Sequence, residues 1–243
     1  MVQKTQKAWY MIGKKIVDGF VRYALRADVV RKAVLPRGAK IIVANHPTTS
    51  DPAYVTTLVD EQASILIHET LFKVPVFGQS LRMAGHVPVM TSNGKAALEE
   101  AIRLLKAGRT VIIFPEGALS PAEGLARAHT GAARLALATG APVIPVGIGL
   151  DRQRIHKMET VVDGKTETSL WCLSGPYAMT LGAPQVYCGD VEDRERVREV
   201  TACIMQQIGR LAQESQARVE QQVQAKEKGL LPAFITRQLA RIG

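Results

Sequence analysis

Apolar residues fall along this chain in two rhythms. From residue 40 onward, short and nearly uninterrupted apolar runs recur: KIIVA (40–44), SILI (64–67), HVPV (86–89), TVIIF (110–114) and PVIPVGI (142–148). Runs of four to seven residues with no polar face predict strands buried on both sides. Two more strands are predicted around Trp171 and Val186, on either side of a Ser-Gly-Pro turn at 174–176. Between the runs the period lengthens. In GKAALEEAIRLLKAG (94–108), Leu98, Ile102 and Leu105 share one side of a helix, and Gly108 supplies its stop. Alternation of apolar strands with helices implies an α/β fold, a mostly parallel central sheet flanked by helices. Ligands of such sheets sit beyond the carboxyl ends of the strands.

The two ends carry a different pattern. At about 100° per residue, Trp9, Ile12, Ile16, Phe20 and Tyr23 fall in roughly one quarter of a helical wheel. Lys4, Lys7, Lys14, Lys15, Arg22 and Arg26 spread over the other side. Such a helix lies in a membrane interface or docks its stripe on the protein's own core, and the two are compatible. In GLLPAFITRQLARIG (229–243), Leu231, Phe234, Ile235, Leu239 and Ile242 share a face, with Arg237 and Arg241 off it. The mixed charges between Asp190 and Lys228 predict a solvated helix that stops at Gly229. The organisation expected is a basic amphipathic N-terminal helical region for membrane docking (1–39), an α/β domain (40–210) and a C-terminal helical extension (211–243).

Charge sharpens this. The formal net charge of the 243 residues is +9. Residues 1–40 hold ten Lys and Arg against Asp18 and Asp28, a net +8, which leaves about +1 for the rest. A basic arm on a near-neutral body implies an anionic surface as partner. No zinc, RNP-type or helix-turn-helix signature accompanies the charge, so phospholipid headgroups are expected and nucleic acid is not. The three cysteines include no CxxC pair, which suggests a reducing compartment. The longest uncharged stretch, 168–189, is long enough for a membrane span but carries three glycines and two prolines, and short strands fit it better. With no apolar leader core at the start, the chain is expected to work as a peripheral protein.

Two stretches put chemistry at the predicted carboxyl edge of the sheet. In VANHPTTSDPAY (43–54), His46 lies just past a strand end, and Asp51 starts the next helix with Pro52 at the favoured first position. Asp51 is either the partner of His46 or a helix N-cap. In TVIIFPEGALS (110–120), a buried strand delivers Glu116 to the mouth of the sheet, and Gly117 permits a tight backbone there. His68, His86, His129 and His156 have no metal-ligand spacing, and no metal is expected.

In order and spacing, NHPTTSDP, then FPEG 70 residues on from His46, then GAARLALATGAPVIPVGI (131–148), resemble the glycerolipid acyltransferase family, which includes the 1-acylglycerol-3-phosphate acyltransferases. The resemblance runs over roughly residues 40–210. It implies acyl transfer from acyl-CoA or acyl-carrier protein, used as co-substrate with no other cofactor, to a lysolipid hydroxyl in phospholipid biosynthesis. The place implied is the cytoplasmic face of the membrane. His46 and Asp51 would be the catalytic pair, base and orienter, and Asn45, Phe114, Pro115, Glu116 and Gly117 would contact substrate. Four basic positions of the family differ here. Thr91 and Leu119 stand where arginines are usual, Glu69 where a lysine is usual, and His129 at a further basic position. Either Arg82, Lys95, Arg127 or Arg134 takes over the acceptor's phosphate, or the acceptor is a phosphate-free lipid alcohol. A catalytically silent membrane-binding protein is the remaining alternative.

Overall fold

The computed structural model describes residues 2–162 and 165–227. Seven strands form the central sheet: β1 (Asp28–Arg31), β2 (Lys40–Ala44), β3 (Ala63–His68), β4 (Val87–Val89), β5 (Thr110–Ile113), β6 (Val143–Leu150) and β9 (Tyr177–Leu181). Their order is β1-β9-β6-β2-β5-β3-β4, parallel throughout except at the β6–β9 pair. β7 (Ile155–Val162) and β8 (Lys165–Cys172) form a separate antiparallel hairpin.

The central runs are apolar at consecutive positions because helices cover both faces. Ile42, Ala44 and Ile112 pack with Val21, Leu25, Tyr54, Phe72 and Leu81, which come from α1 (Val2–Gly19, extended by a π-helical turn at Phe20–Ala24), the residue after that turn, α2 (Asp51–Val55), α3 (Glu69–Lys73) and α4 (Phe77–Met83). Ile41, Val43, Val111 and Ile113 pack with Ala97, Ala133, Ile204 and Ile208, from α5 (Gly94–Lys106), α6 (Gly131–Thr139) and α7 (Arg194–Glu227). The period of two along each strand thus divides the core into two halves.

The structure moves several expected elements. The last sheet strand is Tyr177–Leu181, not the stretch around Val186, which is exposed; only Gln185 there bridges to Val143. β1 lies inside the basic N-terminal region expected to be helical, and β7 has no counterpart among the predicted strands. In α5 the buried face is Ala97, Ala101, Leu104 and Leu105, with Leu98 and Ile102 only partly buried, because small residues let the helix lie close on the sheet. Gly108 does end it, at φ +78°.

The mixed-charge stretch forms α7, which runs without a break through residue 210. It is only half solvated: Val197, Val200, Ile204, Ile208, Leu211, Ser215 and Val219 are buried. It rests on β6 where Gly147 and Gly149 remove the side chains, since a Cβ at Gly147 would lie 2.0 Å from the Ala212 nitrogen. Gly229 and the apolar face at 231–242 lie outside the described residues.

Two faces of α1 are apolar, and they do different things. Tyr10, Val21 and Leu25 are buried with Lys14, whose ammonium pairs with Asp18 at 2.8 Å. Lys14 therefore belongs to the inward face, against expectation. Phe20 stacks on Tyr54, but Trp9, Ile12, Ile16 and Tyr23 are exposed, Ile16 and Tyr23 by 70% and 72%. α4 packs against α1 and opens with Val76 and Phe77, also exposed. No helix among the described residues is long and apolar enough to cross a membrane.

Candidate active site

The carboxyl ends of β2 and β5 are neighbours in the sheet, so the residues that follow them meet although 70 positions separate them. After β2, Asn45 is buried, and both ends of its amide are used on one backbone unit. Nδ2 donates to the Ile148 carbonyl at 3.0 Å, and Oδ1 accepts the Ile148 N–H at 2.7 Å. The end of β2 is thereby tied to β6 just before His46.

The loop from His46 to Asp51 returns on itself. His46 Nδ1 lies 3.2 Å from Asp51 Oδ2. Asp51 is fully buried while the His46 side chain keeps 18% of its surface exposed. Asp51 is the first residue of α2 rather than its N-cap, which is Ser50 without a side-chain cap bond. Its carboxylate binds the loop that leads into the helix, accepting the Thr48 N–H and the Thr48 hydroxyl, both at 2.6 Å, and the Tyr177 hydroxyl at 2.8 Å. Burial and the charge of Asp51 push the Tyr177 phenol well above its usual range. The same two causes raise the Cys172 thiol to about 12.

The other loop hydroxyls clamp the hairpin. Thr49 exchanges two bonds with Leu170: its N–H donates to the Leu170 carbonyl at 2.7 Å, and its hydroxyl accepts the Leu170 N–H at 3.0 Å. Ser50 Oγ accepts the Cys172 N–H at 3.1 Å, and Tyr54 donates to the Cys172 carbonyl at 2.6 Å. Each of the three hydroxyls between His46 and Asp51 is therefore engaged.

After β5, the Phe114 ring lies 4.5 Å from that of His46. Glu116 is buried, and its oxygens are filled from within the protein. Oε1 accepts the Ser120 hydroxyl at 2.6 Å and the His46 N–H at 3.2 Å; Oε2 accepts the Ala126 N–H at 2.5 Å. Ser120 also accepts the His46 N–H, at 2.9 Å, and donates its own N–H to the His46 carbonyl at 2.7 Å. The Pro115 carbonyl accepts the His129 N–H at 2.8 Å. Gly117 is exposed at φ +65°, where a Cβ would lie 2.8 Å from the His129 ring. The sequence-predicted residues Asn45, His46, Asp51, Phe114, Pro115, Glu116 and Gly117 thus come together at one edge. Thr48, Thr49, Ser50, Ser120 and Tyr177 were not foreseen. The hydroxyl run TTS and the serine four places after Glu116 were the only local signals for any of them.

Further along that edge, beyond β3 and β4, Thr91 meets one of the other altered positions, Glu69. Its N–H faces Glu69 Oε1 at 3.3 Å, and its hydroxyl lies 3.1 Å from His68 Nε2. Of the cations proposed as substitutes, Arg134 donates to the Val191 carbonyl, Lys95 is exposed beside Glu99, and Arg82 stacks on Phe72. Arg127 is exposed, next to the Ala126 that binds Glu116.

A histidine beside a buried carboxylate, at the carboxyl edge of a mostly parallel sheet, is an arrangement that can serve general-base chemistry. The chain belongs to the acyltransferase family, whose model matches residues 26–149, or 124 of the 243 residues. It is 30% identical to the 1-acyl-sn-glycerol-3-phosphate acyltransferase of Escherichia coli K12 over 123 residues, 49% of this chain and 50% of that protein. It is 28% identical to the enzyme of the same name from Pseudomonas aeruginosa over 136 residues, 54% and 51% of the two chains. The chain thus spans about half the length of the curated relatives it matches. The crystal structure of the 1-acyl-sn-glycerophosphate (LPA) acyltransferase PlsC from Thermotoga maritima has the same fold, with a TM-score of 0.57. That match has 23% sequence identity and covers 86% of this chain and 80% of the other.

Proposed function

We propose that this protein transfers a fatty acyl group from the thioester of acyl-CoA or acyl-carrier protein to the hydroxyl of a 1-acylglycerol-3-phosphate-type lysolipid in phospholipid biosynthesis. It works peripherally, on the cytoplasmic face of an anionic membrane, with the exposed Trp9–Tyr23 face of α1 against the lipid. The observation that carries the reading is the His46 Nδ1–Asp51 contact on a fully buried carboxylate.

With Nδ1 donating to Asp51, Nε2 takes the proton of the acceptor hydroxyl as its oxygen attacks the thioester carbonyl. The tetrahedral intermediate collapses, the C–S bond breaks, and the imidazolium returns its proton to the departing thiolate. Asp51 keeps the ring in the required tautomer and stabilises the imidazolium. The substrate's own hydroxyl is the nucleophile, so no acyl-enzyme forms. Phe114, Pro115 and Gly117 line the acceptor side. Asn45 and Glu116 act on the substrate through the backbone they fix. No resident cofactor is required.

A second reading has its own observation. Glu69 turns a carboxylate toward the Thr91 N–H at two positions where the family resemblance leads one to expect basic groups. This favours an acceptor without a phosphate monoester. Thiol release from acyl-CoA in liposomes, with lysophosphatidic acid and phosphate-free lysolipids compared, separates the two. With lysophosphatidic acid as acceptor, Arg127→Ala raises KM about 10-fold or more, the loss of one charge-assisted phosphate contact. Turnover only with phosphate-free acceptors supports the second reading, and no thiol release with any acceptor contradicts both.

A further inference from the structure

The two Asp51 oxygens are held differently. Oδ2 takes the Thr48 N–H and His46 Nδ1; Oδ1 takes the Thr48 hydroxyl and the Tyr177 hydroxyl. Both Thr48 donors sit three residues away and move with the loop. Tyr177 comes from β9, 126 residues along the chain. It is fully buried, paired with Leu150 in the sheet, and its ring stands edge-on to Tyr54 at 5.4 Å. The terminal torsion of an aspartate is broad, so a bond to one oxygen from outside the loop narrows the tilt at which the carboxylate presents its other oxygen to the histidine.

We propose that Tyr177 is a positioning residue of this site: its phenol pins Asp51 Oδ1 to the sheet, so that Oδ2 stays on His46 Nδ1. Tyr177 lies outside the segment 26–149 matched by the family model. Its aromatic place in a buried strand reads as core packing, yet its hydroxyl reaches a carboxylate. The high phenol pKa keeps the group a donor at any working pH. The role is defined on the acyl-transfer reading, and the contact itself is testable without turnover.

The test compares Tyr177→Phe with Tyr54→Phe, which removes a neighbouring buried phenol bonded to the Cys172 carbonyl instead. Nitrogen-15 spectra of histidine-labelled protein report the His46 tautomer, with its signal assigned from His46→Ala. The proton stays on Nδ1 in the parent and in Tyr54→Phe; in Tyr177→Phe a second tautomer appears. In thiol-release assays Tyr177→Phe lowers kcat about 10-fold, the scale of one hydrogen bond to a charged group, with donor KM unchanged. With Tyr177 itself in place, the same contact is read from its ζ-carbon resonance, which moves between the parent and Asp51→Asn. A parent tautomer and kcat in Tyr177→Phe, an equal change in Tyr54→Phe, or a stationary ζ-carbon resonance would overturn the proposal. Absence of turnover in the parent counts against acyl transfer, and the spectra still decide the role of Tyr177.

Discussion

Replacing Glu116 with Gln tests whether this side chain works through the protein or through the substrate. Its Oε1 receives two donors, from Ser120 and His46, and its Oε2 receives the Ala126 N–H. The amide is nearly isosteric but supplies one acceptor and one donor group. With the amide oxygen toward Ser120 and His46, its NH2 faces the Ala126 N–H. Turned over, the NH2 faces the His46 N–H. Either way a buried donor meets a donor and the bonds lose their charge assistance, at a cost of about 2–3 kcal/mol. For a chain of this size that lowers the melting temperature by roughly 4–12 °C. At 25 °C the folded variant should show, on the proposed acyl transfer, a reduced kcat, because His46 is less firmly held, and little change in acceptor KM. Differential scanning calorimetry and thiol-release kinetics measure the two. An unchanged melting temperature with an acceptor KM raised 10-fold or more would refute the reasoning and place Glu116 on the substrate.

The exposed face of α1 gives a second expectation. Ile12→Ser with Ile16→Ser leaves the core untouched and removes apolar surface worth about 2 kcal/mol if half-inserted in lipid, so binding to anionic vesicles should weaken about 30-fold. Unchanged co-sedimentation would contradict membrane docking through α1. His86 gives a third: burial, and then the Arg109 guanidinium, lower its pKa to about 4, and its Nδ1 accepts the Ile65 N–H. Above about pH 6.5 the ring is neutral in folded and unfolded chains alike; as pH falls toward 4 only the unfolded chain takes up the proton, so stability is lost. The melting temperature of His86→Gln should fall less steeply than that of the parent between pH 6.5 and 4, and equal slopes would refute this.

The strands most legible in the sequence are those covered on both faces. KIIVA and TVIIF are apolar at consecutive positions because helices pack above and below β2 and β5. β1 and β7 escaped because they lack that cover. Val29 and Val30 of β1 are partly exposed, Met158 of β7 is exposed between Lys157 and Glu159, and Val161 is exposed too. The wheel found the apolar stripe of α1 but could not say which way it faced. Only the fold shows that Tyr10 and Val21 turn inward while Ile12 and Ile16 do not. At the site, the predicted strand ends put His46, Asp51 and Glu116 at the edge of the sheet, and it took the family resemblance to join His46 with Asp51 as a pair. Thr48 was visible only as one of several hydroxyls. Tyr177 gave no signal, because its bond to Asp51 depends on β9 lying beside β6, which no local pattern encodes.

The central claim is that His46, held by Asp51, removes the proton of the acceptor hydroxyl. Single-turnover thiol release from acyl-CoA, with a lysolipid acceptor at saturation, reads that step directly. In Asp51→Asn the Nδ1–H loses its ionised partner, and the rate should fall about 10²- to 10⁴-fold; in His46→Ala it should fall at least as far, with the melting temperature showing that each variant is folded. Acceptor-dependent release at the parent rate in folded His46→Ala would contradict the account.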